Sequence, residues 1–241
     1  FKYLHAEDLA QPNLARVQQL IQIHGRRSGQ RLPQFPRDAI EQIVNYVTNL
    51  TQYPTDSQRD LLINLRDRGL ILTLADTGLR IHEVLNLRRG DIDWNEGRAI
   101  VIGKGDQEAI VRFSTRSMRA IRQYLQERGA LDGGSGKPLP TLPLFARHDK
   151  RAGTNVLSLS TTSGRNIVEQ RVRECLGEDA VGTITPHSFR HYFVTTVLRG
   201  SGGNLKMAQD LARHKNIQVT QRYAHLSEDE LDKTYHEIFN A

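Results

Sequence analysis

SQRDLLINLRDRGLILTLADTGLRIHEVLNL, residues 57–87, is the stretch that decides the fold. It reads as one long helix stopped by Gly78, followed by a short helical segment in HEVLNL. Upstream, DAIEQIVNYVTNL from Asp38 has the same helical spacing. Downstream, RAIVIG and EAIVRF alternate or run apolar around the turn GKGDQ, which predicts a pair of strands. Helices resume after it: Ser114 can cap one through MRAIRQYLQERG, and Ser160 or its neighbours another through NIVEQRVRECLG. Pro186 suits the first turn of HSFRHYFVTTVLRG, GSGGN breaks the chain, and Asn204 can cap LKMAQDLAR. Ser227 with Glu230 forms a capping-box pattern for a last helix, SEDELDKTYHEIF. GALDGGSGKPLPTLP at 129–143 reads as a loop. The expected fold class is mainly α with one small antiparallel β-sheet.

Toward the N-terminus, NLARVQQLIQIHGRR has apolar residues at 14, 17, 20, 21 and 23 and predicts a helix closed near Gly25. RSGQRLPQFP after it is linker-like, and a domain boundary is expected between residues 31 and 32. The opening FKYLHAEDLA has neither an initiator Met nor a charged-then-apolar signal pattern, which leads us to expect a piece of a longer chain and not a secretory precursor. No stretch approaches the roughly 20 apolar residues of a membrane-spanning helix. The single cysteine, Cys175, excludes an intramolecular disulfide framework and a multi-thiolate zinc site, and its apolar helical position predicts an inert thiol.

Charge narrows the function further. The 241 residues carry 33 Lys plus Arg against 27 Asp plus Glu, a formal charge of +6. Of those cations 26 are Arg, whose planar fork suits bidentate phosphate contact. The last 18 residues hold −4, so the rest of the chain holds +10, enough to make an anionic polymer a candidate partner.

Five segments carry polar groups that packing does not explain. ADTGLRIHEVLNL puts Arg80 just after a helix end, and TPHSFRHYF puts His187 and Arg190 three apart on one helical face. LARHKNIQVTQRYAH, which joins two of the five segments, puts His214 nine residues before Tyr223, and GKG puts Lys104 between two glycines at a hairpin tip. Together, T-G-L-R-I-H-E-V-L-N-L, I-G-K-G, P-H-S-F-R-H, A-R-H and T-Q-R-Y-A-H resemble, in order and spacing over residues 32–241, the tyrosine recombinases. These are the phage-integrase-type site-specific recombinases, including the Xer-like enzymes.

The resemblance implies the catalytic-domain fold of these DNA breaking and rejoining enzymes, and a set of roles that the chemistry supports. Breaking a phosphodiester needs a nucleophile, donors for the charge on the non-bridging oxygens and an acid for the departing 5′ oxygen. Tyr223 would be the nucleophile, making a 3′-phosphotyrosyl ester that stores the bond energy. Arg80 and Arg190 would clamp the non-bridging oxygens, and His214 would donate to one of them. His187 would serve as proton acceptor or phosphate ligand, and Lys104 would protonate the leaving oxygen. Glu83, three after the first arginine, would orient it. Arg88, Arg89, Arg112, Arg116 and Arg213 are candidate DNA contacts, and His191, Tyr192 and His225 are expected to be structural.

No cofactor, metal or ATP is expected. The expected partners are double-stranded DNA with specific recombination sites and further copies of the chain, as a tetramer on paired sites and a monomer when free. No membrane is involved, and the location is cytoplasmic, at the nucleoid. Residues 1–31 would be the last helix and linker of an N-terminal core-binding domain. Residues 32–241 would be the catalytic domain, with 227–241 a helix exchanged between protomers, its face formed by Leu231, Tyr235, Ile238 and Phe239. One departure is Arg213, where the family often has glycine before the matching histidine; the turn RGSGGN is also somewhat long. Two other readings remain open at this stage: a type IB topoisomerase-like enzyme, in which Lys or Arg usually stands at the place of His187, and a non-catalytic DNA-binding relative.

Overall fold

Ser57 opens the longest helix, its hydroxyl accepting the backbone N–H of Asp60 at 3.1 Å, and Gly78 closes it in a left-handed conformation at φ 60°. This computed structural model describes residues 13–24, 36–52, 54–102, 108–214 and 216–221. The chain divides into two compact units, Phe1–Gln34 and Phe35–Ala241. In the first, α1 (Leu14–His24) starts at Asn13, whose side chain accepts the backbone N–H of Arg16. The expected boundary at residues 31 and 32 lies outside the described residues.

The second unit contains α2 (Arg37–Thr48), α3 (Gln58–Thr77) and α4 (Ile81–Asn86), then β1 (Ile92–Asp93), β2 (Arg98–Ile102) and β3 (Glu108–Arg112). After these come α5 (Thr115–Glu127), α6 (Gly129–Gly133), α7 (Thr161–Leu176), α8 (Pro186–Gly200), α9 (Leu205–Ala212) and α10 (Ile217–Gln221). Short 3₁₀ turns lie between some of them. Ser114, Ser160 and Asn204 cap α5, α7 and α9 through their side chains, as their sequence positions predict, and Pro186 stands at the start of α8.

Helix α3 is buried on most sides and packs against α2, α5, α7 and α8. Its Leu65, Leu70, Ile71, Leu72 and Leu74 meet Ile40 and Ile43 of α2, Ile121 and Tyr124 of α5, Val168 and Val172 of α7, and Phe189 of α8 in one core. Gly164 lets α7 approach α4 closely: a Cβ there would stand 2.7 Å from Leu85 Cδ1 and 2.9 Å from Ile81 Cδ1. The sheet is antiparallel in the order β1, β2, β3, with Ile100 opposite Ile110 and Ala99 opposite Val111. Ala99, Val101 and Val111 turn inward, leaving Ile100, Ile102 and Ile110 exposed on the other face. The sequence predicts only two of these strands. The third, two residues long, is too short for an alternation to register.

The stretch 129–143 differs from expectation. It is not wholly loop, because Gly129–Gly133 forms a helical turn that buries Asp132. The cause is the cation just before it: Arg128, fully buried, donates from Nε to Asp132 Oδ1 at 2.8 Å and from its terminal nitrogens to the carbonyls of Pro143 and Leu144. A buried guanidinium holds only where its donors are met, and these bonds fold the chain back on itself. Tyr124 joins the network, its hydroxyl 2.8 Å from His148 Nε2. Burial, followed by the charges of Arg66, Arg128 and Arg59, pushes the His148 pKa down to about 3. A second network fixes α7 to α3, with Arg171 donating to both Asp67 and Asn64. Cys175 is half-buried, and burial raises its pKa, which suits an inert thiol.

Candidate active site

Gly78 ends α3 with the chain turned left-handed, and the ring of Phe193 occupies the place where a Cβ would stand. That turn delivers Arg80 to the start of α4. There its backbone N–H donates to Glu83 Oε2 at 2.8 Å and its Nη1 to Glu83 Oε1 at 2.9 Å. The Arg80 side chain remains 44% exposed while that of Glu83 is buried, so the carboxylate anchors the guanidinium from beneath. Burial alone would raise the Glu83 pKa, but the charge of Arg213 and the bonds from Arg80 outweigh it and hold the carboxylate below its ordinary value.

His187 and Arg190 come from the first turns of α8. Arg190 is 2% exposed. Its Nη1 donates to the carbonyl of Gly78 and its Nη2 to the carbonyl of Ala212, so one side chain ties the ends of α3 and α9 together. Leu79, Arg80, Thr185, His187 and Arg190 line one pocket. His214 follows α9, and the contacts that hold it include three to Gln209 and Thr220. Its backbone N–H donates to the carbonyl of Gln209 at 3.0 Å, its carbonyl accepts from Gln209 Nε2 at 3.0 Å, and its Nδ1 lies 2.9 Å from Thr220 Oγ1 in α10. Four of the six residues expected to act, Arg80, His187, Arg190 and His214, are thus brought into one electrostatic neighbourhood. Lys104 and Tyr223 lie outside the described residues, as does the expected helix at 227–241.

The imidazoles respond to these cations. Burial, then Arg190 and Arg80, lowers the His187 pKa; burial, then His187 and Arg190, takes His191 to about 4. Burial, then Arg190, Arg80 and the neighbouring imidazoles, takes His214 to about 4. With folded values below the ordinary 6.5, the unfolded chain binds more protons across that interval. Stability conferred by the neutral imidazoles is therefore complete above about pH 6.5 and is lost as pH falls toward 4. We expect the Tm of the DNA-free protein to drop by a few degrees between pH 7 and pH 5, with a smaller drop in His191→Gln, measured by thermal unfolding across that range.

Sequence reasoning misses two residues here, and it names a third, His191, only as structural. Arg165 and Glu169, one turn apart on α7, line the same pocket, and His191 stands edge-on to His187 with ring centroids 4.5 Å apart. Helical spacing shows that 165 and 169 share a face, but not which surface that face meets. Of the five candidate DNA contacts, Arg88 and Arg112 are exposed. Arg89 is paired with buried Asp132, and Arg116 makes a two-pronged pair with Asp76, with its Nε 2.7 Å from Oδ2. Arg213 departs furthest from expectation. Its side chain is only 12% exposed and turns inward to Glu83 at 3.0 Å. Among the described residues no group of three or more His, Cys, Asp or Glu is placed to hold a metal ion, and no helix is long and apolar enough to cross a membrane.

Residues 34–230 match the phage integrase family model. A tyrosine recombinase XerC of Pelobacter propionicus is 36% identical over 208 residues, covering 86% of this chain and 60% of that protein. A XerC of Staphylococcus aureus is 31% identical over 186 residues, covering 75% of this chain and 56% of that protein. The chain therefore spans about three fifths of the length of these relatives. Among solved structures, XerA recombinase superposes with a TM-score of 0.62 at 24% identity, covering 88% of this chain and 67% of that one. XerH bound to palindromic difH substrate, in its post-cleavage complex, superposes with a TM-score of 0.65 at 19% identity, covering 88% and 55%. The mainly helical unit with its small antiparallel sheet has the fold of these recombinases, and the chain belongs to the phage integrase family.

Proposed function

We propose that this chain is the catalytic part of a site-specific DNA recombinase that cuts and rejoins strands through a 3′-phosphotyrosyl intermediate. The observation that carries the reading is the convergence of Arg80, His187 and Arg190 on one pocket, with His214 beside them, from elements separated by more than a hundred residues of chain. A phosphate in that pocket would meet two guanidinium groups, each held by protein acceptors before DNA arrives. A preorganised donor of this kind contributes roughly 3–4 kcal/mol to a charged transition state.

In this mechanism Tyr223 attacks the scissile phosphorus as its phenol proton passes to His187, whose lowered pKa favours the neutral, accepting form. The bond to the 5′ oxygen breaks, Lys104 supplies the proton to that oxygen, and the ester keeps the energy needed for resealing. Reversal by the 5′ hydroxyl of a second duplex completes the exchange, so neither ATP nor a metal enters any step. Glu83 holds Arg80 in place, and Arg88 and Arg112, both exposed, remain the candidates for phosphate contacts outside the pocket. Exchange between two duplexes involves four strand ends, which a tetramer on paired sites would serve. Residues 32–241 form the catalytic domain in this reading, and residues 1–31 the end of a DNA-clamping domain. XerH in complex with its difH substrate supports duplex DNA as the partner.

Covalent capture tests the proposal. Nicked duplexes with a randomised core are incubated with the wild-type protein, and adducts stable to denaturant are isolated. We expect a 3′-phosphotyrosyl adduct on a discrete sequence, with mass mapping to the peptide that contains Tyr223. Specific binding without any adduct would make the chain a DNA-binding relative that has lost catalysis. Relaxation of supercoils without joining of two sites would make it topoisomerase-like.

A further inference from the structure

Arg213 is the one non-glycine residue with positive φ among the described residues, at φ 57°. It ends α9 in a Schellman turn: its own N–H donates to the carbonyl of Asp210 at 3.1 Å, and that of His214 to the carbonyl of Gln209 at 3.0 Å. Glycine fills such a position without strain, because a Cβ disfavours the left-handed conformation. A side chain kept there at conformational cost points to work done by the side chain itself. This one crosses to α4, where its Nη2 reaches Glu83 Oε2, the same oxygen that accepts the backbone N–H of Arg80.

We propose that Arg213 is a positioning residue for strand cleavage, bracing the His214 turn against Arg80 through Glu83. Two consequences follow from the geometry. The bridge fixes the distance between the element that carries His214 and the element that carries Arg80. It also divides the charge of Glu83 between two guanidinium groups, leaving more of the positive charge of Arg80 for a phosphate. Without Arg213 the carboxylate would face Arg80 alone and compete with the phosphate for it. The inference rests on the recombinase reading above, and it replaces the expectation that Arg213 touches DNA.

The test is a double-mutant cycle on the duplex selected by covalent capture, using Arg213→Gly, Glu83→Gln and their combination, with Arg213→Lys as the conservative variant. Single-turnover cleavage at saturating DNA and the Kd for DNA are read separately, after thermal unfolding shows each variant folded. We expect Arg213→Gly to slow cleavage by about 10- to 100-fold with Kd changed less than about threefold, and to cost less than about threefold in the Glu83→Gln background. Arg213→Lys should recover part of the rate. Independent, multiplicative losses in the cycle would overturn the proposal, as would a loss confined to Kd, which marks a phosphate contact, or an unchanged rate. Failure of the wild-type protein to form any adduct overturns the recombinase reading and the inference with it. Normal wild-type cleavage with a non-coupled cycle overturns the inference alone.

Discussion

Arg190→Ala is expected to lower single-turnover cleavage by roughly 10³-fold and, separately, to destabilise the fold by about 3 kcal/mol. The two losses have different origins in one side chain. The catalytic loss comes from removing a fixed cation from the wall of the pocket shared with Arg80 and His187. The stability loss comes from the carbonyls of Gly78 and Ala212, each of which accepts from a different terminal nitrogen of Arg190 in a buried setting. Truncation to alanine strands both acceptors, and a carbonyl at a helix end has no intrahelical donor to fall back on. In a domain of this size 3 kcal/mol corresponds to a fall in Tm of roughly 10 °C. Arg190→Lys separates the two effects. A lysine restores the charge but carries its donors on one nitrogen, without the planar fork that aims two terminal nitrogens at the two helix ends. We expect Arg190→Lys to keep more stability than Arg190→Ala yet to cleave almost as slowly, because the fork sets the direction of the donors. Equal cleavage by Arg190→Lys and the wild type would show that charge alone is required.

How much of this could be read from the sequence depends on the range of the interaction concerned. Caps are local chemistry, and Ser114, Ser160, Asn204 and Gly78 act where their neighbours in sequence place them. The site is also legible in part, since Arg80, His187, Arg190 and His214 lie in short motifs whose residue types match one reaction. What escapes is any pairing across the chain. Nothing near Asp132 announces that Arg89, 43 residues before it, reaches it, so GALDGG looks like a loop although it holds a buried carboxylate. Arg116 looks like a free surface cation until Asp76, forty residues away, is seen beside it. Arg213 is the extreme case. Its partner Glu83 is 130 residues distant, and its inward turn follows from a left-handed backbone that residue type would not suggest.

Tyr223→Phe should lose cleavage as Arg190→Ala does, but by removing the attacking group and not a cation. The substitution removes one oxygen and no charge at neutral pH, and phenylalanine offers no atom able to form a phosphate ester. Deleting a covalent nucleophile typically costs on the order of 10⁶-fold, so the adduct should disappear from denaturing gels. DNA binding should persist, because affinity comes mainly from cations neutralising phosphates. Its logarithm should still fall with the logarithm of salt with a slope of about −0.9 per phosphate contacted, identical in the variant and the wild type. The two substitutions therefore separate the groups that hold the phosphate from the group that attacks it. A residual adduct in Tyr223→Phe would assign the attack to another hydroxyl. Tyr192 is the first to examine, since it lies half-buried on α8 two residues after Arg190, near the guanidinium of Arg116. Loss of binding together with the adduct would instead make Tyr223 a docking group, and the parallel salt titrations distinguish that outcome from loss of the nucleophile.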